Sequence, residues 1–207
     1  MDALIFLDYA GVALFAATGA LAASRKELDI VGFLFLGAVT GIGGGTVRDL
    51  VLGVPVFWVA HPVFLLVCGS TAILVYFTAH LIESRYRLLL WLDAVALSAY
   101  GVFGAYRGLE VTGSATVAVV MGMITGTLGG ILRDVLAGEP SVLMRPEIYV
   151  AAAMAGAAAF VAAHAVGLPL SLAAGAGFVL ALGIRSGALH FGWRFPRYSQ
   201  RSGDRNG

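Results

Sequence analysis

Charge is scarce in this 207-residue chain: 12% of residues are Asp, Glu, Lys or Arg, against 59% hydrophobic, with a mean hydropathy of +0.91. A soluble domain carries roughly 25% charged residues, and half that supply cannot cover a water-facing surface. The apolar residues also come in long runs rather than helical stripes, which places the chain in a membrane. That excludes a soluble enzyme, a nucleic-acid binder and a disordered protein, and the net charge of +1 implies no acidic partner. The single cysteine, Cys68, excludes an internal disulfide and a cysteine-rich metal centre. The histidines His61, His80, His164 and His190 lack metal-ligand spacing, and interfacial placement is expected for them. No Walker loop, zinc signature, nucleotide fingerprint or TVGYG-type filter occurs, so no cofactor is expected. A basic start is missing too: Asp2 and Asp8 stand where a cleavable signal would be positive, so the first span is expected to stay in the membrane.

What is abundant is apolar sequence in lengths that suit a bilayer. A helix needs about 20 mostly apolar residues to cross, and seven segments qualify: 4–23, 30–52, 59–82, 88–106, 114–137, 148–166 and 169–191. Pro62, Pro146 and Pro169 suit first-turn positions, where a missing N–H costs nothing. Trp58, Trp91 and Trp193 fall at span ends, as aromatic belts do. The expectation is an all-α polytopic protein with one transmembrane domain over 1–196 and a polar tail over 197–207. With the N-terminus outside, the inner loops and tail hold nine basic residues and the outer loops only Arg107. The positive-inside rule therefore predicts N-terminus out and C-terminus in.

The chain repeats itself. Residues 37–55, GAVTGIGGGTVRDLVLGVP, align without a gap on residues 122–140, GMITGTLGGILRDVLAGEP, with nine identities in nineteen positions at a period of 85. The same period relates Asp8 to Asp93 and Gly19 to Gly104. Residues 4–82 thus repeat as 88–166, leaving 169–191 as a seventh helix outside the repeat, a brace or an oligomer contact. Three spans per unit is odd, so the second copy enters from the opposite face. Inverted repeats of this kind mark transport proteins, with a site near the midplane.

The second span of each unit carries the sharpest signal. Gly41, Gly43, Gly44 and Gly45 sit mid-span in one, and Gly126, Gly129 and Gly130 in the other. Such clusters are expected to bend or break the helix, freeing carbonyls that could replace part of a cation's hydration shell. The alternative is packing, because Gly37, Gly41 and Gly45, like Gly122, Gly126 and Gly130, form a four-residue stripe that admits a close neighbour. About one turn later come Arg48-Asp49 and Arg133-Asp134. Ionisable groups inside a span face a cavity or a partner. Sequence neighbours point about 100° apart on a helix, so each is expected to pair with another helix, Asp8 and Asp93 being candidates. The hydroxyls of Thr40, Thr46 and Thr125 add ligands near the glycines, and Arg185, deep in the last span, suits a structural pairing.

The doubled motif GIGGGTVRD and GTLGGILRD, in a chain of three plus three plus one spans, resembles the bacterial branch of the trimeric intracellular cation (TRIC) channel family. The resemblance covers about 8–196. It implies a homotrimer in the lipid of a bacterial plasma membrane. Each protomer would hold its own pore, bent at Gly43, Gly44, Gly45, Gly129 and Gly130 and passing potassium or sodium ions. Leu128 stands where the first copy has Gly43, which puts a symmetric pore in question, and with Lys26 the only lysine no phosphoinositide regulation is inferred. The same bacterial sequences are also described as a glycine transporter domain. The expectations from sequence are a passive monovalent cation channel, alternatively a carrier of glycine or another small amino acid, and in third place a non-conducting structural protein.

Overall fold

The computed structural model describes residues 2–142, 144 and 148–194. The polar tail and Pro146 lie outside the described residues. The elements are helices: α1 (Asp2–Arg25), α2 (Ile30–Leu52), α3 (Phe57–Ala60), α4 (Val63–Thr78, continued by a 3-10 turn, Ala79–Leu81), α5 (Arg85–Thr112), α6 (Ala115–Leu136), α7 (Val150–Ala165) and α8 (Leu170–Phe191).

Six spans are long and apolar enough to cross a bilayer. The expected 148–166 span is shorter than predicted: α7 has 16 residues, about 24 Å at 1.5 Å per residue. Tyr149, at its N-cap, is 1% exposed and belongs to the buried charge cluster described below. The expected 59–82 span is also broken. Pro62 disfavours helical backbone at the preceding residue, and His61 accordingly adopts φ −130°, ψ 84° and ends α3, after which Pro62 caps α4.

Polar caps set the other starts. Asp29 accepts the Gly32 N–H at 2.8 Å to begin α2, and Ser84 and Ser114 accept the Arg87 and Val117 N–H groups to begin α5 and α6. The two copies of the glycine motif end alike. Gly53 (φ 67°) and Gly138 (φ 63°) are left-handed, and the next N–H groups, of Val54 and Glu139, return to the Asp49 and Asp134 carbonyls at 3.0 and 2.9 Å. Only glycine enters that conformation without strain.

α1 and α5, the first helices of the two repeats, pack against each other and run antiparallel. Asp8, early in α1, meets Tyr100 late in α5, while Arg85 at the start of α5 donates to the Ser24 carbonyl at the end of α1. The repeats are therefore inverted. α1 and α5 are the most buried spans, α2 and α6 pack together beside them, and α4 is the most exposed. Its outward Leu66, Leu74 and Phe77 suit lipid. α8 packs on α5 and α7, with Gly156 and Gly177 meeting at the crossing: a methyl on either would press on the other's carbonyl, at 2.8 and 2.6 Å. Among the small residues of α7 and α8, Ala153, Ala157 and Gly177 are thus used inside the protomer, whereas Gly175 faces open space.

Candidate functional site

The helix runs uninterrupted through both glycine clusters. The expected break in the backbone is not what the glycines produce here; they form contacts. A methyl built on Gly44 would lie 2.5 Å from the Thr125 carbonyl, and one on Gly129 would lie 2.7 Å from the Thr40 carbonyl. These two contacts are equivalent under the 85-residue period, so α2 and α6 touch backbone to backbone about the pseudo-two-fold axis. Gly41 faces Cys68 Sγ and the Val12 carbonyl, Gly43 faces Leu132, Gly45 the Phe57 ring, Gly126 the Leu97 carbonyl, and Gly130 the Tyr149 hydroxyl. The small-residue stripe lets helices approach this closely without a side chain between them. Of the hydroxyls, Thr125 Oγ1 donates to the Met121 carbonyl at 2.6 Å. Thr46 Oγ1 donates to Ile42 at 2.7 Å and accepts from Trp58 Nε1 at 2.9 Å. Thr40 Oγ1 is buried with no hydrogen-bond partner.

The arginine–aspartate pairs correct the expectation that sequence neighbours do not pair, while the expected pairing with another helix holds for Arg133, which reaches Asp93 on α5. Arg48 Nε donates to its neighbour Asp49 Oδ1 at 2.8 Å, and Arg133 Nε and Nη2 donate to Asp134 Oδ1 at 3.0 and 2.9 Å. The long arginine side chain curls back across the 100° separation because the aspartate is held in place from its other side. Asp49 Oδ2 accepts the Phe57 N–H at 2.9 Å, and Asp134 Oδ2 accepts the Val142 N–H at 2.9 Å, each eight residues on. Each carboxylate thus fastens the chain that follows its helix, and each arginine neutralises it near a helix C-terminus, where negative charge is unfavourable.

Beyond this shared core the two ends differ. Arg133 Nη1 also donates to Asp93 Oδ1 at 2.7 Å, and the Tyr149 hydroxyl donates to the same oxygen at 3.4 Å. All of these groups are buried. Asp8, the counterpart of Asp93, instead accepts from Tyr100 at 3.2 Å. Among the described residues no ion pair joins it to Arg48, whose Nη1 is buried without a hydrogen-bond partner. The Arg48 guanidinium lies between two rings, 5.6 Å from the Phe57 centroid and 5.2 Å from that of Phe103.

At this end a cavity of about 700 Å³ opens between α1, α2 and α5, lined by Asp8, Tyr9, Arg48, Phe57, His61 and Arg107 among others. It combines one carboxylate with arginines already matched by acids: Arg48 by Asp49, and Arg107 by Glu110. Among the described residues, Asp8 is therefore the carboxylate that faces it without an ion-pair partner. His61 belongs to this cavity rather than to a lipid interface alone. Arg185 is fully buried with its guanidinium 5.1 Å from the Tyr149 ring centroid. Tyr100 and Tyr149, the partners of the two first-helix aspartates, were missed by the sequence reading. Their counterparts under the repeat, Phe15 and Phe64, lack the hydroxyl, so identity at the period did not flag them.

Comparison with known proteins fits this geometry. A family model described as "Glycine transporter" matches residues 5–80 and again 90–165, two matches displaced by the same 85 residues that separate the aspartates. The structure resembles that of a TRIC trimeric intracellular cation channel orthologue from Rhodobacter sphaeroides, with a TM-score of 0.91, 54% identity, and coverage of 93% of this chain and 100% of that one. The inner membrane protein YadS of Escherichia coli K12 (UPF0126) is 38% identical over 200 residues, covering 94% of this chain and 95% of that protein. A UPF0126 membrane protein of Vibrio cholerae is 38% identical over 201 residues, covering 95% and 83%. The chain belongs to this family, the bacterial TRIC channels. It is accordingly a multi-pass protein of the bacterial inner membrane. In this TRIC-family chain the family model spans both halves of the inverted repeat and stops before α8.

Proposed function

We propose that this TRIC-family protein is a passive channel for monovalent cations, permeable to potassium and assembled as a homotrimer with one pore inside each protomer. The observation that carries this reading is the cavity of about 700 Å³, faced by the Asp8 carboxylate without an ion-pair partner among the described residues. It sits within a fold that follows a TRIC cation channel orthologue at a TM-score of 0.91. A cation entering the cavity meets the Asp8 carboxylate first and the hydroxyls and carbonyls of α2 and α6 next. The contact of Gly44 with Thr125 and of Gly129 with Thr40 is the constriction. Because glycine brings no side chain of its own into that contact, a small separation or bend of α2 and α6 at Gly43–Gly45 and Gly129–Gly130 exposes backbone carbonyls to the permeating ion. α7 completes a seventh crossing by tilting little and thinning the bilayer locally. With the N-terminus outside, the cavity faces outward.

A second reading, carriage of glycine or another small amino acid, is favoured by one feature: the cavity presents a carboxylate, Asp8, and a guanidinium with an open donor, Arg48. These suit the ammonium and carboxylate of a zwitterion. Purified protein in a planar bilayer with potassium on one side and sodium on the other separates the readings. Single-channel currents that reverse with the cation gradient support the channel. Silent bilayers together with saturable glycine uptake into vesicles replace it with the carrier.

A further inference from the structure

The two ends of the inverted repeat contain the same charged parts in different arrangements, and the difference falls on equivalent atoms. Arg133 Nη1 is bonded to Asp93 at 2.7 Å, while Arg48 Nη1, its counterpart, is buried and empty. Asp93 is held chiefly by arginine, while Asp8, its counterpart, is held by Tyr100. Where arginine and first-helix aspartate are apart, both line the cavity. Where they are joined, Asp93, Arg133 and Tyr149 are each about 1% exposed, against 9% for Asp8.

We propose that Asp93–Arg133 is a closed ion-pair gate, and that its open form is the arrangement already visible at Asp8–Arg48. In that form Arg133 keeps only Asp134, and Tyr149 takes over Asp93 as Tyr100 has taken Asp8. The proposal rests on the channel reading. The parts needed for the exchange are in place. The Tyr149 hydroxyl is already directed at Asp93 Oδ1 at 3.4 Å, a long bond with room to shorten. The Arg185 guanidinium stacked over the ring fixes the ring's position. Arg133 retains two bonds to Asp134 after release, so its charge is never left alone. The closed pair also leaves Asp93 Oδ2 buried without a hydrogen-bond partner. That unmet acceptor weakens the closed state, and a modest energy then suffices to leave it. Tyr149 is on this account a positioning residue for the open state and Asp93 the residue that locks the closed one.

The two roles predict opposite signs, which a purely structural cluster would not give. Asp93→Asn removes the charge that attracts Arg133 but keeps an acceptor for Tyr149. Tyr149→Phe removes the hydroxyl that receives Asp93 on opening but leaves the closed ion pair intact. In planar-bilayer recordings of purified protein, Asp93→Asn is expected to raise the open probability at least about fivefold, and Tyr149→Phe to lower it by about the same factor. Single-channel conductance stays unchanged in Tyr149→Phe, which removes no charge from the pathway. Melting temperatures measured in detergent check that both variants fold. Open probabilities that move in the same direction, or that stay at the wild-type value in folded variants, overturn the gate. A wild-type protein that passes no current overturns the channel reading instead, so the two failures are told apart.

Discussion

Gly44 on α2 lies directly against the carbonyl of Thr125 on α6, so close that a single methyl group would sit 2.5 Å from the oxygen. The repeat reproduces the contact with Gly129 and Thr40 at 2.7 Å. Two inverted copies of one unit therefore meet at a point where neither carries a side chain. In a bilayer, where apolar side chains gain nothing by leaving lipid, close backbone contact is a principal source of helix association. The same contact is the constriction of the proposed pathway, so packing and permeation draw on the same glycines.

Alanine at Gly44 or Gly129 should therefore both destabilise the fold and reduce potassium flux. The methyl meets backbone, which cannot swing aside, and overpacking of this kind costs roughly 1–3 kcal/mol. Alanine at Gly175, which has nothing within 4 Å, is the matched control and should be neutral or slightly stabilising. Thermal unfolding in detergent, paired with potassium efflux from vesicles, measures both effects. A Gly44→Ala protein with wild-type stability and flux would mean that α2 and α6 are not in contact in the membrane.

The Arg-Asp pairs should not be equally sensitive. Asp49 is the carboxylate that pairs with Arg48, whereas Arg133 has both Asp134 and Asp93. Asp49→Asn keeps an acceptor for the Phe57 N–H but leaves a buried guanidinium uncompensated, a loss of about 3–5 kcal/mol. Asp134→Asn leaves Asp93 in place and should cost clearly less. Melting temperatures of the two variants decide the order, and equal losses would contradict the asymmetry of the two ends.

Much of this was legible in sequence because the period of 85 is written in residues whose chemistry is unusual in a membrane. Gly44 and Gly129, Arg48 and Arg133, and Asp8 and Asp93 all lie on it, and inversion followed from an odd number of spans. The 30–52 span matched α2 residue for residue, since Asp29 and Gly53 bracket it with a cap and a left-handed stop. The sequence was less informative where tertiary contacts override local pattern. Helical periodicity says that Arg48 and Asp49 diverge, but it cannot see the Phe57 N–H that turns the carboxylate. Hydropathy marks the sixth span, but it cannot see that the Tyr149 hydroxyl at its start bonds Asp93 on α5. The difference between the two ends was invisible for a further reason: equivalent residues imply equivalent structure, and which pairs are made is decided by tertiary packing.

The left-handed stops offer a local test of the repeat. Gly53→Ala and Gly138→Ala each force a side chain into positive φ, at a cost of about 1–2 kcal/mol per site. No atom lies within 4 Å of a methyl at either glycine, so the loss comes from the backbone alone. The two variants should lower the melting temperature by similar amounts, and the double variant by their sum, because the turns are at opposite ends of the molecule.

Asp8 should govern how cations enter the cavity. The arginines there are paired with their own acids, which leaves this carboxylate to set the sign of the local potential. Asp8→Asn is expected to lower single-channel potassium conductance about two- to fivefold at 0.01 M salt. At 1 M salt the difference should nearly vanish, since the screening length falls from about 30 Å to about 3 Å. Tyr100 retains an acceptor in the asparagine variant, so the fold around it is kept. Recordings across that range of potassium chloride separate the two ways Asp8 could act. A ratio that shrinks with salt means that the carboxylate concentrates cations at the mouth. A ratio that stays constant means that it acts only through packing, and the cavity is then not the entry to a cation pathway.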